Sequence, residues 1–213
     1  TLPVVSLVTD PDNLWDHLTG IYVKGPNAGS YPYYGANFFQ DWERQATVSL
    51  YEPDGSGFSA PCGIKIHGNM SRTHDKKSLA VMFRGAYGAS FLNYPLFGSD
   101  GADTYESFVL RAGGQEFGKT YMRDELFTSL AGEYTDLIVQ DYRPVVLYLN
   151  GEYWGVYYIR EKVSEHLVAA KYNVSADDVV ITEFNGDSSP EYRDLVKYAG
   201  SHSMAEQEHF DYV

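Results

Sequence analysis

The chain has 213 residues, enough for one large domain or a domain and a half, with 44% hydrophobic and 21% charged residues and no biased tract that would point to disorder. Sixteen Lys and Arg against 29 Asp and Glu give a formal charge of −13, which argues against nonspecific nucleic-acid binding and against an anionic membrane surface. Any phosphate site therefore has to be a local basic pocket. A single cysteine, Cys62, rules out an intramolecular disulfide and a cysteine-based zinc site. Nineteen tyrosines and a 15% aromatic share favour β-structure and sticky, half-exposed faces. The sequence starts at Thr1 without Met and has no apolar run of about 18 residues, so it is expected to be an excised or processed segment without membrane insertion.

In chain order, residues 2–8 (LPVVSLV) read as a strand, followed by a turn at Asp10–Asn13 that could cap a short helical turn over Leu14 and Trp15. A brief strand is expected at Gly20–Val23. Residues 24–40 form a long Gly-, Asn-, Pro- and Tyr-rich loop, a type of segment that is usually functional or a partner contact. Ala46–Tyr51 alternates as a strand and closes through Pro53–Gly57 onto a partner at Gly63–His67. Ser78–Phe83 is nearly continuously apolar, which predicts burial on both faces.

Between those strands lies the polar turn Gly68–Lys77, containing Ser71, Arg72, Lys76 and Lys77. Its density of donors suits an anion such as phosphate. The same residues also suit a solvated hairpin whose charges keep an edge soluble.

Ser107–Arg111 is a further strand. The first clear helix spans Tyr121–Gly132, with Met122, Leu126, Phe127, Leu130 and Ala131 on one face. Residues 143–149 and 152–160 pair through Asn150-Gly151, the strongest two-residue hairpin signal in the chain. Ser164 is placed to cap a helix over Glu165–Tyr172. A short strand at Val179–Thr182 and a helix over Glu191–Ala199 complete the order. The resulting fold class is α+β, one mainly antiparallel sheet with packed helices.

No compact metal motif, G-x-S-x-G elbow, Walker sequence or dinucleotide fingerprint is present, and His67 and His74 make a poor metal pair. The strand–loop–strand with lysines, then a helix, then a hairpin leading to a linker, is the layout of a protein-kinase small lobe.

Residues 63–78 (GIKIHGNMSRTHDKKS), Tyr87-Gly88, Tyr94–Phe97, Val109–Arg111, Met122–Asp124 and 143–162 (RPVVLYLNGEYWGVYYIREK) resemble the spore-coat protein H (CotH) family, and Trp42–Arg44 resembles its upstream signature. The resemblance runs from about Leu2 to Tyr172. It implies an atypical, secreted-type protein kinase that uses ATP with Mg2+ or Mn2+ to phosphorylate a Ser-rich coat or surface protein, at a bacterial spore coat or cell surface. By that resemblance Gly68, Ser71 and Arg72 lie over the phosphates and Lys76 or Lys77 pairs with them. Arg123 and Asp124 open an orienting helix, and Glu161 sits at the adenine linker.

The expected organisation is a small-lobe-like region over residues 1–162 and the start of a large-lobe-like region over 163–213. The catalytic and metal-binding aspartates expected of the family do not appear before Val213, and Asp187 stands in the wrong context. The chain is therefore expected to hold no catalytic or metal-binding residue and to be inactive alone. The rival readings are a non-catalytic assembly module using the aromatic 24–44 loop, and a pseudokinase.

Overall fold

Alternation of inward and outward residues is clearest in the first strand of the computed structural model, which describes residues 1–98, 103–116, 118–182 and 189–213, with only the backbone of residues 115 and 170. The strands are β1 (Val4–Val8), β2 (Arg44–Tyr51), β3 (Gly57–His67), β4 (Ser78–Met82), β5 (Leu92–Asn93), β6 (Thr104–Tyr105), β7 (Ser107–Arg111), β8 (Tyr142–Leu149) and β9 (Glu152–Glu161). Short helices α1 (Pro11–Trp15), α2 (Arg123–Tyr134), α3 (Glu165–Tyr172), α4 (Pro190–Ser201) and α5 (Gln207–Tyr212) accompany them. The chain divides into two compact units, Thr1–Lys162 and Val163–Val213.

The first unit is a closed barrel in the order β1-β2-β3-β4-β7-β9-β8, with β5 and β6 as a separate two-stranded ribbon. Neighbours pair antiparallel except at the seam, where β1 lies parallel to β8 in the register Val4↔Val146 to Leu7↔Leu149. Closure removes both sheet edges and encloses a core of Val5, Leu7, Val48, Leu50, Ile64, Ile66, Leu79, Val81, Phe108, Leu110, Val145, Leu147, Tyr157 and Ile159. All five residues of β4 are buried, as its continuous apolar run predicts. Asn150 and Gly151 both take positive φ, 50° and 84°, as a primed hairpin turn requires. The Asn150 side chain also accepts the Thr9 backbone N–H at 2.8 Å and ties this hairpin to the end of β1.

The α+β expectation, with packed helices on a kinase-like small-lobe sheet, is overturned by this closed barrel. Local patterning marks strands but carries no information on which edges meet, and the parallel β1–β8 pair joins segments some 140 residues apart. Helix α2 also departs from expectation. Leu126 and Phe127 are 49% and 62% exposed, whereas Glu125 is 3% exposed. Its contacts with the barrel are polar: Asp124 meets Arg111 of β7 and Arg160 of β9, and Ser129 Oγ meets Tyr142 Oη of β8 at 2.6 Å. Gly20–Val23 is a turn rather than a strand, pinned by Asn37 Nδ2 donating to the Gly20 carbonyl at 3.1 Å. Val179–Thr182 has no strand partner and is irregular.

In the second unit Ser164 caps α3 by accepting the Leu167 N–H at 3.3 Å, and Ser189 caps α4 through the Tyr192 N–H at 3.1 Å. Asp187 lies outside the described residues.

Candidate functional site

Lys76 and Lys77 enter β4 side by side, and their side chains diverge. The Lys77 ammonium turns back onto its own loop and donates to the carbonyls of Arg72 at 2.8 Å and His74 at 2.6 Å. It lies over the Phe38 ring, 4.4 Å from the centroid. Its backbone N–H donates to Tyr22 Oη at 2.9 Å and its carbonyl accepts from Tyr157 Oη at 3.0 Å. Lys77 is therefore a buried strut of the loop.

Arg72 acts in the same way. Its guanidinium donates through Nε to the Gly68 carbonyl at 2.5 Å and through Nη1 to Phe38 and Phe39 carbonyls at 3.3 and 3.4 Å. Gly68 takes φ +108°, and a Cβ there would stand 2.4 Å from Ser71 Oγ, so the turn requires glycine. Gly68, Ser71, Arg72 and Lys77 thus form one cross-braced loop whose cations are spent on carbonyl oxygens.

Lys76 reaches the other way, to β9, where its ammonium donates to the Val156 carbonyl and to Tyr121 Oη. A register shift near Leu147–Tyr148 makes room for it: Leu147 pairs with Gly155 while Tyr148 pairs with Tyr153, leaving Trp154 as the extra residue of a bulge. Gly155 sits there at φ +107°, and a Cβ would come 3.3 Å from Lys76 Nζ. The bulge turns Trp154 toward Tyr22 and Trp15, whose ring centroids lie 5.0–5.8 Å apart. Trp154 Nε1 donates to Tyr22 Oη at 3.1 Å.

Together these residues line a cleft of about 800 Å³, with Trp15, Tyr22, Tyr121, Tyr153 and Trp154 as aromatic walls and Asp75, Lys76 and Lys77 among its lining residues, Lys77 with its ammonium turned back onto its own loop. Loss of hydration on burial pushes both lysine amines down, each to about 8.

The remaining candidates lie elsewhere in the first unit and serve other contacts. Arg123 is about half exposed and pairs with Glu116 at 3.4 Å. Asp124 is held by Arg160 Nη1 at 2.5 Å and Arg111 Nη2 at 2.6 Å. Glu161 accepts the Asp141 N–H at 2.8 Å, and its backbone carbonyl accepts from Gln140 Nε2, so it fastens the segment entering β8. His67 is kept neutral, its basicity lowered to about 4 by burial and by Arg72.

Among the described residues no group of three or more His, Cys, Asp or Glu side chains is arranged to hold a metal ion. Of the residues that shape the cleft, Trp15, Tyr22, Tyr121, Trp154 and Gly155 escaped sequence reasoning. The one local signal among them was a lone glycine inside a strand, which marks a bulge.

A closed β-barrel with a lysine held in an aromatic cleft defines the class. The family model described as CotH kinase protein matches residues 64–211, well over half of the chain, and the chain belongs to the CotH family. That match begins in β3, so β1, β2 and Trp42–Arg44 lie outside it although the barrel cannot close without β1 and β2. No curated protein matches the chain. No described helix is long and apolar enough to cross a membrane.

Proposed function

We propose that the cleft around Lys76 binds the phosphates of ATP and that the chain contributes this site to a CotH-type phosphotransfer onto a Ser-rich coat or surface protein. The observation that carries the reading is the Lys76 ammonium, drawn out of water and held among the aromatic walls of one cleft. A partly desolvated ammonium is a strong partner for a phosphoryl oxygen, because a charge-assisted hydrogen bond replaces lost hydration. The aromatic walls offer a π-face to a nucleobase, a contact worth about 1–3 kcal/mol per base. In a molecule of net charge −13, a local cation is what lets a polyanion approach. Association with a spore coat or cell surface belongs to the same proposal, as does the divalent ion that ATP brings with it.

The test is a calorimetric titration with ATP, with and without Mg2+ or Mn2+, on the 213-residue chain and on Lys76→Ala. Heat of binding that disappears in Lys76→Ala is the expected result. Absence of binding by the unaltered chain, or full binding by Lys76→Ala, overturns the reading.

A second reading, a non-catalytic binding module, is favoured by Tyr31 and Tyr34 of the 24–40 loop, which are 69% and 64% exposed. It would leave ATP unbound.

A further inference from the structure

We infer that Tyr121 is a latch on this cleft: its hydroxyl holds the Lys76 ammonium, and an anionic ligand group competes with it for the lysine. The inference rests on the phosphate-site reading above and adds to it how the site is kept closed.

Three groups meet at one point. Lys76 Nζ donates to Tyr121 Oη and to the Val156 carbonyl, and Tyr121 Oη donates to that same carbonyl. The ammonium also lies 4.7 Å from the Tyr121 ring centroid and 4.3 Å from that of Tyr157. An ammonium carries three N–H donors that turn together about the Cε–Nζ bond, so a hydroxyl accepting one of them competes with a phosphoryl oxygen for the same group.

The backbone is built to deliver that hydroxyl. Tyr121 takes φ +65°, uncommon for a bulky side chain, one residue before the cap of α2. Its ring lies against Gly113, where a Cβ would stand 3.1 Å from the ring edge. Gly113, Gly114 and Gly118 all take positive φ in the approach to it. A tyrosine placed there only to fill space has no need of that conformation or of the contact with Lys76.

The chemistry makes the latch selective. A phenol oxygen is a neutral acceptor, whereas a phosphoryl oxygen carries charge and adds Coulomb attraction to its hydrogen bond with the ammonium. A phosphorylated ligand therefore recovers the contact it displaces. An uncharged ring, such as a nucleoside, occupies the aromatic walls without opening the latch.

The deciding variant is Tyr121→Phe, which removes one oxygen and keeps the ring. Two measurements are made on the full chain, with circular dichroism to establish that the variant is folded. One is the acylation rate of Lys76 by an amine-reactive ester without nucleotide, read by peptide mass spectrometry. The other is calorimetric affinity for ATP and for adenosine. Loss of one hydrogen bond is expected to speed Lys76 acylation and tighten ATP binding by about 3- to 10-fold, with adenosine unchanged. Unchanged or slower acylation in folded Tyr121→Phe overturns the latch, whatever ATP does. Faster acylation with no ATP binding by either protein keeps the latch and removes the nucleotide reading.

Discussion

Arg160 of β9 and Arg111 of β7 converge on a single carboxylate oxygen, Asp124 Oδ2, at 2.5 and 2.6 Å. Arg160 Nη2 adds a hydrogen bond to Thr128 Oγ1 one turn along α2, at 3.1 Å. With the apolar residues of α2 facing outward, this ionic staple is the main fastening of the helix start to the barrel wall. Asp124→Ala leaves two guanidinium groups facing each other without their shared acceptor. It is expected to cost about 1.5–3 kcal/mol, read as a lower midpoint in urea unfolding. A midpoint within error of the unaltered protein would show that α2 is held some other way.

Glu125 sits beside that staple with Oε1 lacking a hydrogen-bond partner and Arg111 Nε 4.0 Å away. Burial is the main reason its carboxyl titrates above the usual range, with Asp124 adding to the shift and Arg111 and Arg160 opposing it. Because the folded-state value is raised, the folded chain binds the proton more readily than the unfolded chain. Stability associated with Glu125 is therefore greatest in acid and is lost as pH climbs from the unfolded to the folded value. Glu125→Gln is expected to raise the melting temperature at pH 7, with the gain shrinking toward pH 4. An equal effect at both pH values would refute the assignment.

Lys76 and Lys77 separate binding from stability. Lys77→Ala strips the loop carbonyls of Arg72 and His74 of a buried donor, and is expected to destabilise by about 2–4 kcal/mol. Lys76→Ala is expected to cost less stability and to lose ATP binding. Urea midpoints and titration heats for both variants check the split, and the reverse pattern would exchange their roles.

The pH dependence of the same pair follows from amines lowered to about 8 in the fold, against an ordinary 10.5. Between those values the unfolded chain holds more protons, so stability rises with pH from about 8 to 10.5 as the buried charges are relinquished. ATP affinity moves the opposite way, weakening above pH 8 as Lys76 loses its charge. In Lys76→Arg the weakening is expected to vanish, because guanidinium stays protonated. Titrations at pH 7 and 9 read this directly.

Cys62 is fully buried in β3, and burial pushes its thiol up to about 12. It is expected to resist a thiol-reactive disulfide reagent in the native protein and to react at once in denaturant. Rapid native labelling would mean that β3 opens locally.

The seven barrel strands in their approximate places, the Asn150-Gly151 turn, the Ser164 cap and the double burial of β4 were legible in sequence, because each depends on neighbours two to four residues away. Side-chain alternation, a left-handed turn and a capping hydroxyl are local physics. The resemblance to the CotH family was legible for the same reason, carried by contiguous runs such as Asn150–Tyr157. The seam between β1 and β8 was not, since pairing of distant edges leaves no periodicity in either strand. Neither was the division of labour between Lys76 and Lys77. Adjacent and chemically identical, they differ in which carbonyls and rings surround them, and those come from Val156, Tyr121, Phe38 and Tyr22. The apolar stripe of α2 is legible as a pattern, yet Leu126 and Phe127 are exposed, because amphipathicity marks a face without saying what lies beneath it. Sequence alone determined most of the local elements and the family, and tertiary structure decided barrel closure and how each lysine of the cleft is held, because both depend on groups brought together from distant parts of the chain.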